Sequence, residues 1–347
     1  MTRYRVAAVT GPGRIHVGSR QDAAPTATQV ALSITLCGVC GTDAEGFTAG
    51  GGHSQAVCGH EWVAMVTDVG RAVSSLSPGT RVVVAVPPPC GTCPECRSGL
   101  HEHCRHVSAV ARGRDPAAPE HGGFAQRLLV DQMRVLPALD ALTDVEAALV
   151  EPAAVALHGV RRAGVVTGDV VVVQGAGPIG VLAAQCARVA GAAAVVVVEP
   201  QEGRRSLAMT LGADVAVEPG EAAALLVDEL TEGRGADVVV ECAGRPELLA
   251  TALGLARRGG TVLLLGYTAQ AATVRPATLL SRELVVRGAL AATRDDVHRT
   301  MRLIAAGRLQ VTPLHTSTVG LEGLAGVLAD LAGGRSAGLK VLVDPHR

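Results

Sequence analysis

Along the first 150 residues the apolar positions come in short, β-branched runs with partial alternation, at 6–9, 30–36, 62–69, 81–86 and 124–130. Each run reads as a strand. Gly and Pro punctuate the stretches between them, including residues 10–29 and the Ser-Pro-Gly-Thr turn around Pro78. Many short strands joined by such turns predict a compact β-rich domain. The pattern changes after Glu151. Apolar residues recur at helical spacing over 155–163. Val-rich runs at 170–173, 195–198, 238–240, 262–265 and 283–287 then alternate with helical stretches at 180–189, 204–211, 222–231 and 248–256. Strand alternating with helix predicts βαβ units and a parallel sheet. Helices at 295–306 and 321–331 and a strand at 340–343 end the pattern. The fold class is α/β, a β-rich domain followed by a doubly wound parallel-sheet domain.

Composition sharpens this picture. A chain of 347 residues is long enough for about two domains. Nearly half of it is apolar, yet it has only five aromatic residues, so the core must be Val, Leu and Ala, which suits a sheet buried on both faces. So few rings, a net charge of −1 and no basic run leave no footprint for nucleic acid. Lys340 is the only lysine, which excludes a Walker-type phosphate loop. Apolar runs near Val170 and Val195 break before ~18 residues, and no signal-peptide core follows Met1, so neither a membrane span nor a leader is expected. A cytoplasmic, reducing location follows, in which nine cysteines read as metal ligands or buried thiols.

Two stretches carry candidate metal chemistry. Between Cys37 and Glu61 lie Cys40-Gly-Thr-Asp43 and Cys58-Gly-His-Glu61, which bring thiolate, imidazole and carboxylate donors into one short segment. Zinc takes all three donor types, and a catalytic zinc keeps one position open. Cys40 and His60 are the candidate ligands, against the alternative that these cysteines are small buried hydrophobes. The second stretch is C-x2-C-x2-C-x7-C at Cys90, Cys93, Cys96 and Cys104. Four thiolates in a polar loop can close a tetrahedral structural zinc; metal-free thiols, iron–sulfur ligation and a zinc ribbon are the alternatives, the polar loop arguing against four packed thiols, the spacing against a cluster and the neutral charge against a ribbon.

A dinucleotide fingerprint follows at Gly175-Ala-Gly177-Pro178-Ile179-Gly180, between a predicted strand and a predicted helix. Gly175 permits the tight turn, Gly177 lets a pyrophosphate approach the backbone, and Gly180 lets helix pack on strand. Glu199 ends the next strand at the offset where a carboxylate accepts from the ribose hydroxyls. An acid there favours NAD over NADP, whereas Arg204 nearby is either a cofactor contact or a solvated helix residue.

With these pieces in order, the chain resembles the zinc-dependent medium-chain dehydrogenase/reductase family, in its sorbitol, threonine and butanediol dehydrogenase-like branch. The resemblance also rests on Glu151-Pro152 and Glu241-Cys-Ala-Gly244. It implies a GroES-like catalytic domain over 1–153 with a zinc lobe near 88–106. A Rossmann domain would span 154–290, with a return to the catalytic domain over 291–347. It further implies two zinc ions per chain, NAD as cofactor, a small alcohol or ketone substrate, no nucleic-acid or membrane partner, and a homodimer or homotetramer. Cys40 and His60 become ligands of a zinc in the cleft between the domains. Glu61 and Glu151 bind the metal or hold its water, and which of them binds directly stays open. Thr42 resembles the hydroxyl that begins a proton relay, and Asp43 the carboxylate behind His60. Two departures stand out. Glu45 occupies the place of a frequent relay histidine and is the candidate to carry the proton. The segment Gly288-Ala-Leu-Ala-Ala292 lacks an arginine common in polyol and threonine relatives. Arg127 stands where Tyr is common and has no assigned role. The expected reaction is reversible hydride transfer between a small polar secondary alcohol, such as a polyol or amino-cyclitol, and NAD. Alternatives are an NADPH-dependent aldehyde or ketone reductase and a non-catalytic zinc-stapled dinucleotide sensor.

Overall fold

The computed structural model describes residues 3–50, 59–111, 122–335 and 338–347, with the Ala111 side chain undefined. The chain divides into two compact units: Met1–Glu151 with Ala292–Ala305 and Val311–Arg347, and Pro152–Ala291 with Ala306–Gln310.

In chain order the first unit opens with β1 (Arg3–Gly11), β2 (Arg14–Gln21), β3 (Gln29–Gly38), α1 (Gly41–Ala49), β4 (Glu61–Val69) and β5 (Arg81–Val84). The short helices α2 (Pro94–Arg97) and α3 (Arg105–Ala111) follow, then β6 (Arg127–Asp131), β7 (Val135–Pro137), α4 (Asp144–Ala148) and α5 (Val150–Ala163), which runs into the second unit. That unit alternates β8 (Val170–Gln174), α6 (Pro178–Ala190), β9 (Ala194–Val198), α7 (Glu202–Thr210), β10 (Val215–Val217), α8 (Glu221–Thr231), β11 (Ala236–Glu241), α9 (Pro246–Leu255), β12 (Ala256–Leu264), α10 (Pro276–Arg282) and β13 (Val285–Gly288). The chain then adds α11 (Arg294–Ala305), β14 (His315–Val319), α12 (Leu324–Ala332) and β15 (Lys340–Val343).

The first unit is built on a mixed sheet of order β14-β15-β3-β4-β5-β7, with β6 also on β3, and a separate β1–β2 hairpin. Its core gathers Leu32, Ile34, Phe47, Trp62, Phe124 and Leu324. Arg127 acquires a role here. It pairs with Asp22 and donates to Thr67 Oγ1 at 3.2 Å, pinning the segment after β2 to the central strands. The second unit is a six-stranded all-parallel sheet, β10-β9-β8-β11-β12-β13. Val171, Val172, Val173, Val195, Val196 and Val197 are fully buried. Both faces of such a sheet are covered, so its strands need continuous β-branched runs, and each buried Val contributes about 1.5–3 kcal/mol.

Several elements depart from the sequence expectations. The stretch after Cys40, where the apolar pattern predicts no element, forms helix α1. Asp43 at its third position accepts from the Cys40 N–H at 2.8 Å, and Gly50 closes it in the left-handed region at φ 76°. Two glycines and two threonines hide this helix from an apolar-periodicity reading, because capping holds it together. Strand β2 pairs only with β1 and carries a mostly polar sequence, as does the edge strand β14 on β15. Edge strands need no second apolar face, so their signal is weak. Among the described residues no helix is long and apolar enough to cross a membrane.

Candidate active site, cysteine cluster and dinucleotide turn

Strand β3 delivers Cys40 to the start of α1, and β4 begins immediately after His60. Sγ of Cys40, a ring nitrogen of His60 and a carboxylate oxygen of Glu61 lie within 4.8 Å of one another. Asp43, buried at 2% exposure, organises them. Its carboxylate accepts from Cys40 N at 2.8 Å and Gly59 N at 3.0 Å, and stands 3.6 Å from His60 Nδ1. Burial alone would lower the His60 pKa; the Asp43 carboxylate outweighs it and raises the ring well above its ordinary value. A carboxylate on one ring nitrogen orients the imidazole and leaves the other for a ligand. Soft sulfur, imidazole and carboxylate together are a donor set for zinc.

Glu61 has a partner that sequence reasoning passed over. Lys340 Nζ lies 2.7 Å from both carboxylate oxygens and also donates to Val39 O at 3.0 Å. Both side chains are almost fully buried, at 4% and 1% exposure. The one signal available was that a chain otherwise using only arginine keeps a single lysine. Two carboxylate lone pairs remain beyond those facing Lys340.

Glu151, on the first turn of α5 and half-buried, lies outside the Cys40–His60–Glu61 group but feels its field. Burial, with repulsion from Glu61 and Asp43, raises its carboxyl to about 7 against attraction from His60 and Lys340. In metal-free protein the fold therefore favours the protonated acid, and stability falls as pH rises from the unfolded value of 4.5 toward about 7. The cost is roughly 3 kcal/mol at 1.36 kcal/mol per pKa unit. Chelator-treated wild type is expected to lose that much more unfolding free energy than Glu151→Gln between pH 4.5 and 7.5. Parallel pH curves for the two proteins would contradict it.

Thr42 and Glu45 both sit on α1, half-buried, three residues apart. Helical geometry makes such residues neighbours on the surface. Cys37 belongs to the core, as a packing residue does, with its thiol driven up by burial. Cys58 and His53 lie outside the described residues.

The sulfurs of Cys90, Cys93, Cys96 and Cys104 also lie within 4.8 Å of one another. Backbone N–H groups point at them: Cys93 N to Cys90 Sγ at 3.4 Å, Cys96 N to Cys93 Sγ at 3.5 Å, and Cys90 N to Cys104 Sγ at 3.3 Å. Donors from Thr92 and the Cys93 N–H bring the Cys90 thiol down to about 5, while burial pushes Cys96 up to about 12. Four adjacent sulfurs cannot all ionise unaided, and a central divalent cation removes that conflict. Arg105 Nε to Glu95 Oε1, at 2.8 Å, ties α2 to α3 around the cluster.

In the second unit the glycine turn has the geometry its sequence predicts. Gly175 adopts φ 95°, and a Cβ on Gly180 would fall 1.8 Å from Gly175 O, so only glycine lets α6 pack this closely. Gly177 caps α6 without a side-chain bond, with Pro178 and Ile179 in the first turn, and a Cβ on it would meet nothing within 4 Å. The free N–H groups at this helix start suit a phosphate. Glu199 is buried at the end of β9, where it accepts from Ala176 N at 2.7 Å and Gln201 N at 3.0 Å. It thereby braces the turn with half its acceptor capacity left. A cavity of about 750 Å³ opens beside it, lined by Gly175, Gly177, Glu199, Arg204, Asp228 and Arg245.

A glycine turn of this kind at the carboxyl end of a doubly wound parallel sheet, in a chain whose other unit carries a Cys–His–Glu group, is the equipment of a dinucleotide-dependent oxidoreductase. Residues 26–140 match the alcohol dehydrogenase GroES-like domain, and residues 178–306 the zinc-binding dehydrogenase family. The chain is 32% identical over 327 residues to 2-dehydro-3-deoxy-L-galactonate 5-dehydrogenase of Pseudoalteromonas atlantica, covering 92% of this chain and 93% of that one. It is 30% identical over 324 residues to D-xylulose reductase A of Aspergillus niger, covering 90% and 88%. A solved structure described as a zinc-binding dehydrogenase of Sinorhizobium meliloti, bound to NADP, matches with a TM-score of 0.87 at 30% identity, covering 99% of this chain and 100% of that one. The chain belongs to the zinc-binding dehydrogenases of the alcohol dehydrogenase family, and it is an NAD(P)-dependent enzyme with a GroES-like and a Rossmann unit.

Proposed function

We propose that this dehydrogenase interconverts a small polar secondary alcohol, a polyol or amino-cyclitol, and its ketone with NAD as the hydride acceptor. The carrying observation is the Cys40–His60–Glu61 group, held by Asp43 and Lys340. We assign one zinc to Cys40, His60 and Glu61, with Glu151 as the acid beside it, and a second to Cys90, Cys93, Cys96 and Cys104. A metal at the first site supplies Lewis acidity that lowers the pKa of a substrate hydroxyl. Thr42 then accepts the hydroxyl proton and passes it along α1 to Glu45. The family's polyol- and sugar-acid-named members, such as the xylulose reductase and the galactonate dehydrogenase above, support a polyhydroxylated substrate. Glu199 supports NAD, since a buried carboxylate at the ribose repels a 2′-phosphate.

We further assign a homo-oligomeric assembly. Edge strand β13 leaves Val285 and Val286 about 40% exposed, and an unpaired apolar edge is a pairing surface. One preparation tests all of this: polyols, cyclitols and simple secondary alcohols screened with NAD and with NADP, alongside metal content and solution mass. Turnover of polyhydroxylated substrates with NAD, two zinc ions per chain and a mass two or four times the 35.2 kDa of one chain are expected, and a mass of one chain would remove the oligomer assignment. Activity confined to NADP would remove the Glu199 argument, and a single zinc would remove one of the two sites.

A further inference from the structure

Four buried valines, Val170 to Val173, make β8 an apolar strand at the centre of the parallel sheet, and the strand then ends on glutamine. Gln174 is 2% exposed. Pairing sets it between Val198 of β9 and Glu241 of β11, and its backbone carbonyl accepts from Cys242 N at 2.9 Å. Side chains two apart on a strand share a face. Gln174 therefore follows Val172, which packs in the core with Ala223 and Val227 of α8 and Ala252 of α9.

An amide is a costly choice for this place. Gln174 Oε1 is buried and has no hydrogen-bond partner among the described residues. A buried acceptor left unpaired is unfavourable, and folded proteins keep few of them. Leucine or methionine would fill a similar volume without that penalty. Gln174 also stands on the wall of the cavity of about 750 Å³, together with Gly175, Val198 and Glu199. An orphaned acceptor on a cavity wall, at the carboxyl end of the sheet where ligands bind, marks a point at which a ligand donates.

The dinucleotide has few donors to offer there. Its pyrophosphate only accepts, and falls to the N–H groups of the glycine turn. The hydroxyls of the adenosine ribose fall to the acid at the end of the second strand, Glu199. What remains on this half of the cofactor is the exocyclic amine of adenine. We propose that Gln174 is a specificity-determining residue that reads the adenine base: the 6-amino group donates to Oε1, while the amide N–H donates to the neighbouring ring nitrogen. Glutamine and asparagine recognise adenine in nucleic acids by the same two-point pairing. An apolar wall accepts any flat ring of that size; the amide makes the cavity prefer a ring that carries an amine.

The assignment rests on the NAD reading above, and calorimetric titration separates the two. Wild type, Gln174→Leu and Gln174→Met are each titrated with NAD and with the NAD analogue in which unsubstituted purine replaces adenine. Wild type is expected to bind NAD about three- to tenfold more tightly than the analogue, the effect of about one hydrogen bond. In both variants the two ligands are expected to bind within about twofold of each other, because no acceptor remains to tell them apart. Wild type that binds NAD and the analogue equally overturns the proposal. So does a preference for NAD that persists undiminished in both variants, including one that persists while both ligands weaken together, which would mark a structural role. Wild type that binds neither ligand would sink the NAD reading itself.

Discussion

Replacing Cys40 by alanine is expected to lower turnover by on the order of a thousandfold, because under the zinc assignment proposed above Lewis-acid stabilisation worth several kcal/mol would disappear with the metal. Cys40 is the only sulfur in the Cys40–His60–Glu61 group. The variant keeps the backbone cap of α1, since the Cys40 N–H bond to Asp43 does not involve the side chain, and that side chain is only half-buried. The measurement is kcat at saturating alcohol and NAD together with zinc per chain, which should fall by one equivalent while the Cys90–Cys104 cluster keeps its own. Turnover near that of wild type would remove the catalytic assignment of this group, and loss of both zinc ions would mean that the substitution had disturbed the unit as a whole.

The sequence made much of this legible where chemistry and periodicity coincide. Val170–Gln174 followed by Gly175, Gly177 and Gly180 announces both a buried strand and a phosphate-ready helix start, because the turn, the approach and the packing each demand glycine at a set position. The cysteine lobe is legible for a similar reason, since spacing within fifteen residues fixes which sulfurs can meet. Helix α1 was not legible, because its cohesion comes from Asp43 and Gly50 and its faces carry no apolar stripe. The helix bears on the chemistry, because residues three apart on it, Thr42 and Glu45, are neighbours on one helix surface. Nor was the pairing of Lys340 with Glu61 legible. It joins residues 279 positions apart through the register that sets β15 against β3 beside β4, and no local pattern encodes a contact of that kind.

That pairing yields the largest expected effect on stability. Lys340→Met would leave the Glu61 carboxylate buried without its cation and Val39 O without its donor, and breaking a buried ion pair from one side costs about 3–5 kcal/mol. Trp62, the single tryptophan, follows Glu61 on β4 and packs in the core of that unit, so urea unfolding of chelated protein followed by its fluorescence reads the affected unit directly. The double variant Lys340→Met/Glu61→Leu is expected to recover most of the loss, because removing both charges leaves an apolar site of similar volume. A single variant within about 1 kcal/mol of wild type, below the range for a broken buried pair, would show that the pair does not hold the strands. Zinc adds a discriminating arm. If Glu61 ligates the ion with Cys40 and His60, the cation replaces the lost ammonium, and a ligand that binds only the folded state stabilises it in proportion to its affinity. Zinc should therefore rescue Lys340→Met by more than it stabilises wild type. Equal stabilisation of the two proteins would instead leave Glu61 as a purely structural anion and pass the third ligand position to Glu151.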